Sequence, residues 1–376
     1  MSDRGKRYQS DLLTWIAAWQ TGRSQAAPAA DFDAMALALF AYQFDNIAAF
    51  RTFCLSRHQT PADTQNWRQI PCVPISAFKF AQLHSQPAAD HPACRFETSG
   101  TTDAQRGHIQ LSDTALYDAS ALAAFRHWVL ADETRKFQCI SLIPDARVRP
   151  NSSLGHMVRH LAQQLGVGDL VEVFGQDIDL ARFVSVCQSA AKGQLPVLIF
   201  ATTIAIEALL QKLPDSFRLQ LPRGSRVMDT GGPKGRAVAL NRETQHEKLA
   251  HILGVDRDLI VGEYGMTELC SQRYETTCRH KLLGDVAALR GYVAPPWLKS
   301  VALRPSDRTL CAYGEVGMLA HIDLANLDTC AFVLTADLGK IEWIEGVGEV
   351  LTLAGRLPGS DWRGCGLDAE AFLAPT

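Results

Sequence analysis

The chain contains 376 residues, of which 47% are hydrophobic and 20% are charged, and its formal net charge is −3. This composition is typical of a globular protein with one large or two medium domains. The near-neutral charge gives no basis for nucleic acid or an anionic membrane as the main partner. The ten cysteines follow no CxxC pattern, so we expect most of them to be small buried side chains and not a disulfide framework.

The N-terminal segment MSDRGKRYQSDLLTWIAAWQ lacks the continuous apolar run and the small-residue cleavage site of a signal peptide. No window of the sequence approaches the roughly 20 apolar residues that a membrane-spanning helix needs. These two observations predict a cytoplasmic protein without a membrane span.

Hydrophobic periodicity predicts helices over residues 8–21 and 33–58, which we interpret as an N-terminal helical layer. The proline-punctuated stretch at 70–80 is predicted to be extended. From about residue 95, short β-rich runs alternate with helical runs, one of which covers 113–129. That alternation is typical of a parallel or mixed sheet covered on both faces. Beyond residue 300 the runs are strand-rich, and the predicted strands are 309–314, 316–324, 330–339, 340–345 and 349–356.

These patterns suggest four segments along the chain. We predict a helical layer over 1–90, an α/β core over 91–300, a β-rich subdomain over 301–356 and a flexible tail over 357–376. The helical layer belongs to the same domain as the core.

A hydroxyl- and glycine-rich run follows a predicted strand and reads Thr98-Ser99-Gly100-Thr101-Thr102, with Arg106 just beyond it. Glycine lets main-chain N–H groups turn toward a polyanion, and hydroxyls with a nearby cation complete a phosphate-binding loop. The GxxxxGK[ST] pattern of kinases and GTPases is absent. By itself, a run of this composition is more often a surface turn.

Four further motifs have the residue types of a nucleotide site. The sequence GEYGMTE at 262–268 ends an apolar run with an aromatic ring, a hydroxyl and a carboxylate. These groups offer a stacking surface for a base, a phosphate contact and a magnesium ligand. Asp337 is predicted beside a turn, where it would accept hydrogen bonds from ribose hydroxyls. The glycine pair at 231–232 allows close approach of a ligand, and Gly355-Arg356 closes the strand-rich region. Each motif alone is also consistent with an ordinary turn.

Taken in order, the five motifs resemble the superfamily of acyl-CoA synthetases, adenylation domains and luciferases over residues 98–356. The resemblance implies a large mixed α/β adenylate-forming fold with a β-rich C-terminal part, and it implies ATP and Mg²⁺ as cofactors. The implied nucleotide-binding residues are Thr98, Ser99, Gly100, Thr101, Thr102, Gly231, Gly232, Tyr264, Gly265, Thr267, Asp337 and Arg356.

The resemblance also implies a role for each of these residues. The run at 98–102 would hold the β- and γ-phosphates, and Tyr264 would stack on the adenine beside the glycine pair. Thr267 would contact the α-phosphate, and Glu268 would bind the magnesium ion. Asp337 and Arg356 would hold the ribose. Arg106 departs from the pattern, because the superfamily often has lysine at this position.

Within the superfamily, the stretches at 70–80 and 150–157, the TGGPKG sequence and the ending GRLPGSDWRGCGLDAEAF resemble the acyl-protein synthetase (LuxE) group. This narrower resemblance covers about residues 65–373, and it implies the supply of an activated fatty acid to a reductase. Typical superfamily members continue for about 100 residues beyond the GR motif, whereas 20 residues follow Arg356 here. We therefore expect a truncated tail in place of the full C-terminal domain.

The tail contains Cys365 between Gly364 and Gly366, close to Arg363. Flanking glycines give freedom of movement, and a neighbouring cation favours the thiolate. The resemblance implies that this cysteine is the one acylated.

A predicted helix contains His156 and His160 at i, i+4 spacing, but no third zinc ligand accompanies them. We predict instead that His156 lines the acyl pocket with Ser153 and Met157.

The sequence therefore predicts ATP-dependent conversion of a carboxylic acid, of fatty or related type, to an acyl-AMP. Transfer to Cys365 and then to a partner such as a reductase would follow, with Thr267, Arg106 and Cys365 as catalytic residues. One alternative is a CoA or carrier-protein ligase that uses an external thiol. Another is a non-catalytic subunit that retains the fold and binds an acyl donor or a reductase.

Overall fold

A computed structural model describes residues 2–20, 31–85, 90, 92–98, 106–131, 136–214, 216–231 and 241–357. Within these residues there are nine α-helices: α1 (Asp3–Gln20), α2 (Phe32–Asn46), α3 (Ala48–Ser56), α4 (Ala115–Phe125), α5 (Ser153–Leu165), α6 (Leu180–Lys192), α7 (Thr203–Lys212), α8 (Arg242–Leu253) and α9 (Thr277–Leu283). None of these helices combines the length and the apolar character needed to cross a bilayer.

The same residues contain fourteen strands: β1 (Val73–Pro74), β2 (Cys94–Glu97), β3 (His108–Leu111), β4 (Gln138–Leu142), β5 (Val171–Glu172), β6 (Val197–Thr202), β7 (Arg226–Thr230), β8 (Ile260–Tyr264), β9 (Arg273–Glu275), β10 (Tyr292–Val293), β11 (Leu298–Leu303), β12 (Gly317–Asp323), β13 (Phe332–Ile344) and β14 (Gly348–Arg356). The mixed α/β class predicted from the sequence is confirmed.

Two compact units divide the chain. The first unit comprises Met1–Ala124, Met266–Gln272 and Val293–Thr376. The second unit comprises Phe125–Gly265 and Arg273–Tyr292. Each unit therefore combines segments that are distant in the sequence.

The second unit is built on a mainly parallel sheet with the strand order β5-β4-β6-β7-β8, to which β9 adds in antiparallel orientation. Its strands are almost wholly buried, as expected for a parallel sheet covered by helices. The core joins side chains of β4, β6 and β7 to one face each of α6, α7 and α8. This arrangement confirms the alternation of strands and helices predicted for this part of the chain.

Helices α5 to α8 each begin at a side-chain cap. The caps are Ser152, Asp179, Thr202 and Asn241, and each accepts a hydrogen bond of 2.9–3.1 Å from the main-chain N–H three residues later. Such a cap satisfies one of the free N–H groups of the first turn and contributes about 1 kcal/mol. Strand β6 ends at Thr202, which is also the N-cap of α7. The chain therefore passes from strand to helix without an intervening loop.

The first unit contains the antiparallel strands β11-β12-β13-β14, with β1 parallel to β13, and the separate hairpin β2–β3. Met318, Ala320 and Leu334 form a small core on the sheet. The helical layer packs on the same strands, because the Phe50 ring of α3 stacks on Phe332 of β13 at a centroid distance of 5.6 Å.

Two of the predicted elements are wrong in the β-rich region. Residues 309–314 form a turn whose only ladder contact is the isolated bridge between Leu303 and Leu310. The segments predicted separately at 330–339 and 340–345 form one strand, β13, of 13 residues. Asp337 therefore lies within a strand and not beside a turn.

The predicted helix at 113–129 also ends differently. After α4, residues Arg126–Leu130 form a π-helical turn, a form often found at functional sites. Side chains of the second unit hydrogen-bond its carbonyl groups. Arg279 donates to the carbonyl of His127 at 3.2 Å, and Arg226 donates to that of Leu130 at 3.3 Å. The Cys278 thiol donates to the Val129 carbonyl at 2.9 Å. This turn therefore depends on contacts remote in sequence.

Burial lowers the pKa of His127 to about 4, and the charge of Arg279 acts in the same direction. A histidine in an unfolded chain titrates near pH 6.5, so between these values the unfolded state binds a proton that the folded state does not. We predict that His127→Gln makes the free energy of unfolding less dependent on pH between about 4.5 and 6, by up to about 1.4 kcal/mol per pH unit. Urea titrations at several pH values measure this slope. The exposed His251→Gln is the matched control, and an unchanged slope in the His127 variant would contradict the assignment.

Candidate active site

Gly231 and Tyr264 are the described residues that we predict to contact the adenine. They lie at the carboxyl ends of neighbouring strands in the sheet of the second unit. Strands β7 and β8 are parallel neighbours, with Thr230 opposite Glu263 in the ladder. Gly231 therefore follows β7 beside the end of β8, where Tyr264 lies. Ligands of open parallel sheets bind at such carboxyl ends. The Tyr264 side chain is 9% exposed, and its ring centroid lies 5.7 Å from that of Tyr292.

The carboxylate of Asp229 is fully buried and lies one residue before the end of β7. Asp229 accepts hydrogen bonds from His246 Nε2 at 2.7 Å and from Arg242 Nε at 2.8 Å, both to Oδ2. Burial acts to raise the pKa of Asp229, but the hydrogen bond from His246 and the charge of Arg242 outweigh it and lower the pKa. Burial in turn lowers the pKa of His246. The pair is therefore an ionised aspartate and a neutral histidine that donates from Nε2.

Arg242 also joins Asp229 to the neighbouring strands. Its Nη1 donates to Glu275 Oε1 of β9 and to the Tyr292 hydroxyl, both at 3.0 Å. The other oxygen of Glu275 accepts the main-chain N–H of Gly262 in β8 at 2.8 Å. The carboxylates of Asp229 and Glu275 thus share one guanidinium, which reduces the cost of burying them.

The predicted acyl-contacting residues belong to the same unit but to a different helix. Ser153, His156 and Met157 occupy the first turns of α5, which packs on β4. Ser153 and Met157 are buried, whereas His156 is partly exposed. Because β6 separates β4 from β7, the structure does not place these residues on a strand or helix next to Gly231.

The hairpin β2–β3 of the first unit flanks the predicted phosphate loop. The Thr98 N–H donates to the Gly107 carbonyl at 2.9 Å and closes the base of the loop. Arg106 lies 3.8 Å from Glu97, which Arg95 also contacts at 3.2 Å. Among the predicted site residues, those outside the described residues are Ser99, Gly100, Thr101, Thr102, Gly232 and Cys365.

Thr267 and the predicted magnesium ligand Glu268 also belong to the first unit. Thr267 is partly exposed, whereas Glu268 is only 4% exposed, and the Asn326 amide donates to the Glu268 carbonyl at 3.0 Å. In the described part of the chain, no group of three or more His, Cys, Asp or Glu side chains is arranged to hold a metal ion. A single carboxylate fits Mg²⁺, because this ion is commonly bound by one or two carboxylates together with substrate phosphates and water.

The predicted ribose residues face each other across two strands of the first unit. Asp337 of β13 and Arg356 of β14 are partners in the ladder, and Arg356 Nε lies 3.0 Å from Asp337 Oδ1. The register of the two strands shifts one pair further along, after Leu338 and Gly355. Both side chains remain partly exposed, so the carboxylate is accessible to a ligand.

Sequence reasoning missed the residues that support these groups. Asp229 stands in the DTGGPKG motif, but only the glycines were assigned a role. Arg242 is 13 residues from Asp229 and 33 from Glu275, and no motif joins them. The one available signal was a charged residue, Asp229, near the end of a predicted strand and just before two glycines.

The family model described as acyl-protein synthetase, LuxE, matches residues 23–373. The chain belongs to the acyl-protein synthetase family. It is a ligase by this membership, and its fold is that of the adenylate-forming superfamily. A relative from Aliivibrio fischeri, the long-chain-fatty-acid–luciferin-component ligase, is 22% identical over 337 residues, which cover 87% of this chain and 85% of that protein.

Solved structures with a similar fold include two that are named as CoA ligases. The 2-hydroxyisobutyryl-CoA ligase, in complex with 2-HIB-AMP and CoA, is 12% identical with a TM-score of 0.63, and the match covers 86% of this chain and 73% of that one. The long-chain-fatty-acid-CoA ligase FadD1 of Archaeoglobus fulgidus is 15% identical with a TM-score of 0.51, over 73% of this chain. The chain spans about half the length of several such structures, including 53% of FadD1 and 48% of the ATP-bound MatB of Rhodopseudomonas palustris.

A substitution in the partly exposed pair of Asp337 and Arg356 should change nucleotide binding more than it changes stability. We predict that Asp337→Asn lowers the free energy of unfolding by less than about 1 kcal/mol, because exposed ion pairs contribute little. The same variant should raise KM for ATP with kcat little changed, since a ribose contact is made equally in ground and transition states. Glu342→Gln, which removes an ion pair with Lys340 on the same strand, is the matched control. A large loss of kcat at saturating ATP would contradict the ribose role of Asp337.

Proposed function

We propose that this chain uses ATP to convert a fatty or related carboxylic acid to an acyl-AMP, and then transfers the acyl group to Cys365 and on to a partner protein. The observation that carries the proposal is the placement of Gly231 and Tyr264 at adjoining carboxyl ends of parallel strands, in a chain of the acyl-protein synthetase family. The name of the Aliivibrio relative supports a long-chain fatty acid as the substrate and a protein as the acceptor.

In the first step, a carboxylate oxygen of the acid attacks the α-phosphorus of ATP, and the bond to pyrophosphate breaks. The adenine would lie between Gly231 and Tyr264, and the ribose hydroxyls would donate to Asp337. Thr267 would donate to an α-phosphate oxygen as negative charge develops there. Arg106 would contact the β- and γ-phosphates, because it follows directly on the predicted phosphate loop. Mg²⁺ held by Glu268 would supply positive charge to the phosphates.

In the second step, a thiolate attacks the carbonyl carbon of the acyl-AMP, a thioester forms, and AMP leaves. The nine cysteines in the described part of the chain are poor candidates for this thiolate, because burial raises the pKa of every one. The pKa of Cys72 is raised to about 12 and that of Cys94 to about 11. Cys365 is the remaining cysteine, and its sequence neighbours are Arg363, Gly364 and Gly366. A nearby cation favours a thiolate at neutral pH.

Two measurements test this proposal directly. Exchange of labelled pyrophosphate into ATP, driven by fatty acids of different chain length and by aryl acids, reports the first step and selects the substrate. Incubation with ATP and a labelled acid, without CoA, reports the second step as hydroxylamine-labile label on the protein. A chain that supports no acid-dependent exchange is not an adenylating enzyme.

We predict that Glu268→Gln abolishes pyrophosphate exchange while the protein remains folded. The side chain is buried, so the isosteric amide is preferred to alanine, which would leave a cavity. The amide lacks the charge that Mg²⁺ requires of its ligand. Exchange is measured over a range of Mg²⁺ concentrations, and folding by circular dichroism. Glu263→Gln, also buried, controls for loss of a buried carboxylate. Wild-type exchange in a folded Glu268 variant would exclude the metal role.

We predict that Cys365→Ser retains pyrophosphate exchange but does not accumulate a hydroxylamine-labile acyl group, because an oxygen ester is more stable toward hydroxylamine than a thioester. Mass spectrometry should find the acyl group of the wild-type protein on the peptide containing Cys365. Cys311→Ser, at a partly exposed cysteine, is the matched control and should load normally. Loading at another cysteine, or transfer only to free CoA, would contradict self-acylation and support a CoA ligase.

A further inference from the structure

We infer that Asp229, Thr203, Arg242 and Tyr292 are positioning residues, which fix the two adenine-contacting groups, Gly231 and Tyr264, relative to each other. This inference rests on the proposed function, because it assumes that these two groups bind the adenine of ATP. All six residues belong to the second unit. Two arms of contacts start from the Asp229 carboxylate, one toward Gly231 and one toward Tyr264.

The first arm runs through Thr203. Its hydroxyl oxygen lies 2.8 Å from both Asp229 Oδ1 and the Gly231 carbonyl oxygen, so these two acceptors share its one proton, and the side chain is buried. Gly231 has a φ of +82°, a conformation that glycine adopts without steric cost. The backbone of a glycine can adopt many conformations. The contact with Thr203 therefore helps to fix the direction of the Gly231 carbonyl. Without this hydroxyl, the direction of the Gly231 peptide group would be set less firmly.

The second arm runs through Arg242 and Tyr292. Arg242 binds Asp229 through Nε and donates from Nη1 to the Tyr292 hydroxyl at 3.0 Å. The Tyr292 ring is inclined by 43° to the Tyr264 ring, at a centroid distance of 5.7 Å, which is in the range of favourable aromatic pairs. The hydroxyl contact fixes Tyr292 at one end while its ring supports Tyr264. The stacking surface of Tyr264 is thereby supported by Tyr292.

The guanidinium is in turn held against β8. A Cβ atom at Gly262 would lie 2.0 Å from Arg242 Nη2, so only glycine leaves room for the arginine there. Glu275 binds both Arg242 Nη1 and the Gly262 N–H. Because Gly262 precedes Tyr264 by two residues in β8, the ion cluster and the stacking residue share a rigid strand. No residue of either arm is chemically changed in the proposed reaction.

The test uses one variant in each arm of the full-length protein. Thr203→Val keeps the shape of the side chain and removes the hydroxyl, and Tyr292→Phe keeps the ring and removes the contact with Arg242. Each lost hydrogen bond should weaken ATP binding about three- to tenfold by isothermal titration calorimetry, which measures binding without turnover. KM for ATP should rise by the same factor, kcat should stay within about twofold, and the preference for ATP over GTP should fall.

Two variants at unrelated positions serve as matched controls. Thr277→Val removes a buried hydroxyl that donates to the Asp258 carbonyl at 3.1 Å, and Tyr313→Phe removes a hydroxyl that donates to Glu349. Both should bind ATP like the wild type. Thr203→Ser should restore binding, because it returns the hydroxyl. Because both arms start from Asp229, the effect of the double variant should depart from the product of the two single effects.

Wild-type affinity in both Thr203→Val and Tyr292→Phe would overturn the inference. Loss of kcat and thermal stability together, with affinity and base preference unchanged, would also overturn it and assign the cluster to folding alone. A wild-type protein that binds no ATP in the calorimeter would instead refute the proposed function on which the inference rests. The two failures are therefore distinguishable before any variant is made.

Discussion

A buried carboxylate needs hydrogen-bond donors in place of water, and each unit is organised around carboxylates of this kind. In the second unit, Asp229 accepts hydrogen bonds from His246 and Arg242 of α8. In the first unit, Asp323 accepts the main-chain N–H groups of Cys270 and Ser271, at 2.7 and 2.9 Å, and Asp328 accepts the N–H of Ser112 at 2.7 Å. The donors come from segments distant in sequence, so neutralising each carboxylate requires the chain to be assembled. Of the predicted site residues, Gly231 lies two residues after Asp229, and Glu268 lies two residues before Cys270.

The loop at 323–331 illustrates how this requirement supports several predicted functional segments of the first unit. Asn326 holds the main chain of Glu268, and Thr329 contacts Gln110 of the hairpin that flanks the phosphate loop. The amide of Gln43 in α2 donates to three carbonyls of the same loop at 2.8–3.1 Å and accepts the N–H of Ala331. The N-terminal helices carry none of the predicted site residues. Through Gln43, however, they hold the loop that contacts the main chain of Glu268 and the hairpin beside the phosphate loop.

The sequence was informative where local chemistry determines structure. The β-rich runs at 225–232 and 258–265 predicted two of the strands, and the motif order indicated the family. The turn at 309–314 was predicted wrongly because its apolar residues do not face a core: Tyr313 is 60% exposed and Leu310 is 46% exposed. The change to π-helical geometry at Arg126 and the cluster at Asp229 depend on partners with no regular spacing. Such contacts leave no periodic signal in a single sequence.

Gly262 and Arg242 together restrict how this protein can diverge. Any side chain at 262 would require the guanidinium to leave, and its departure would strip two buried carboxylates of their shared counter-charge. A single substitution at either position therefore removes the guanidinium from these carboxylates. The two positions should be inherited as a pair, and with them the spacing between the ends of β7 and β8.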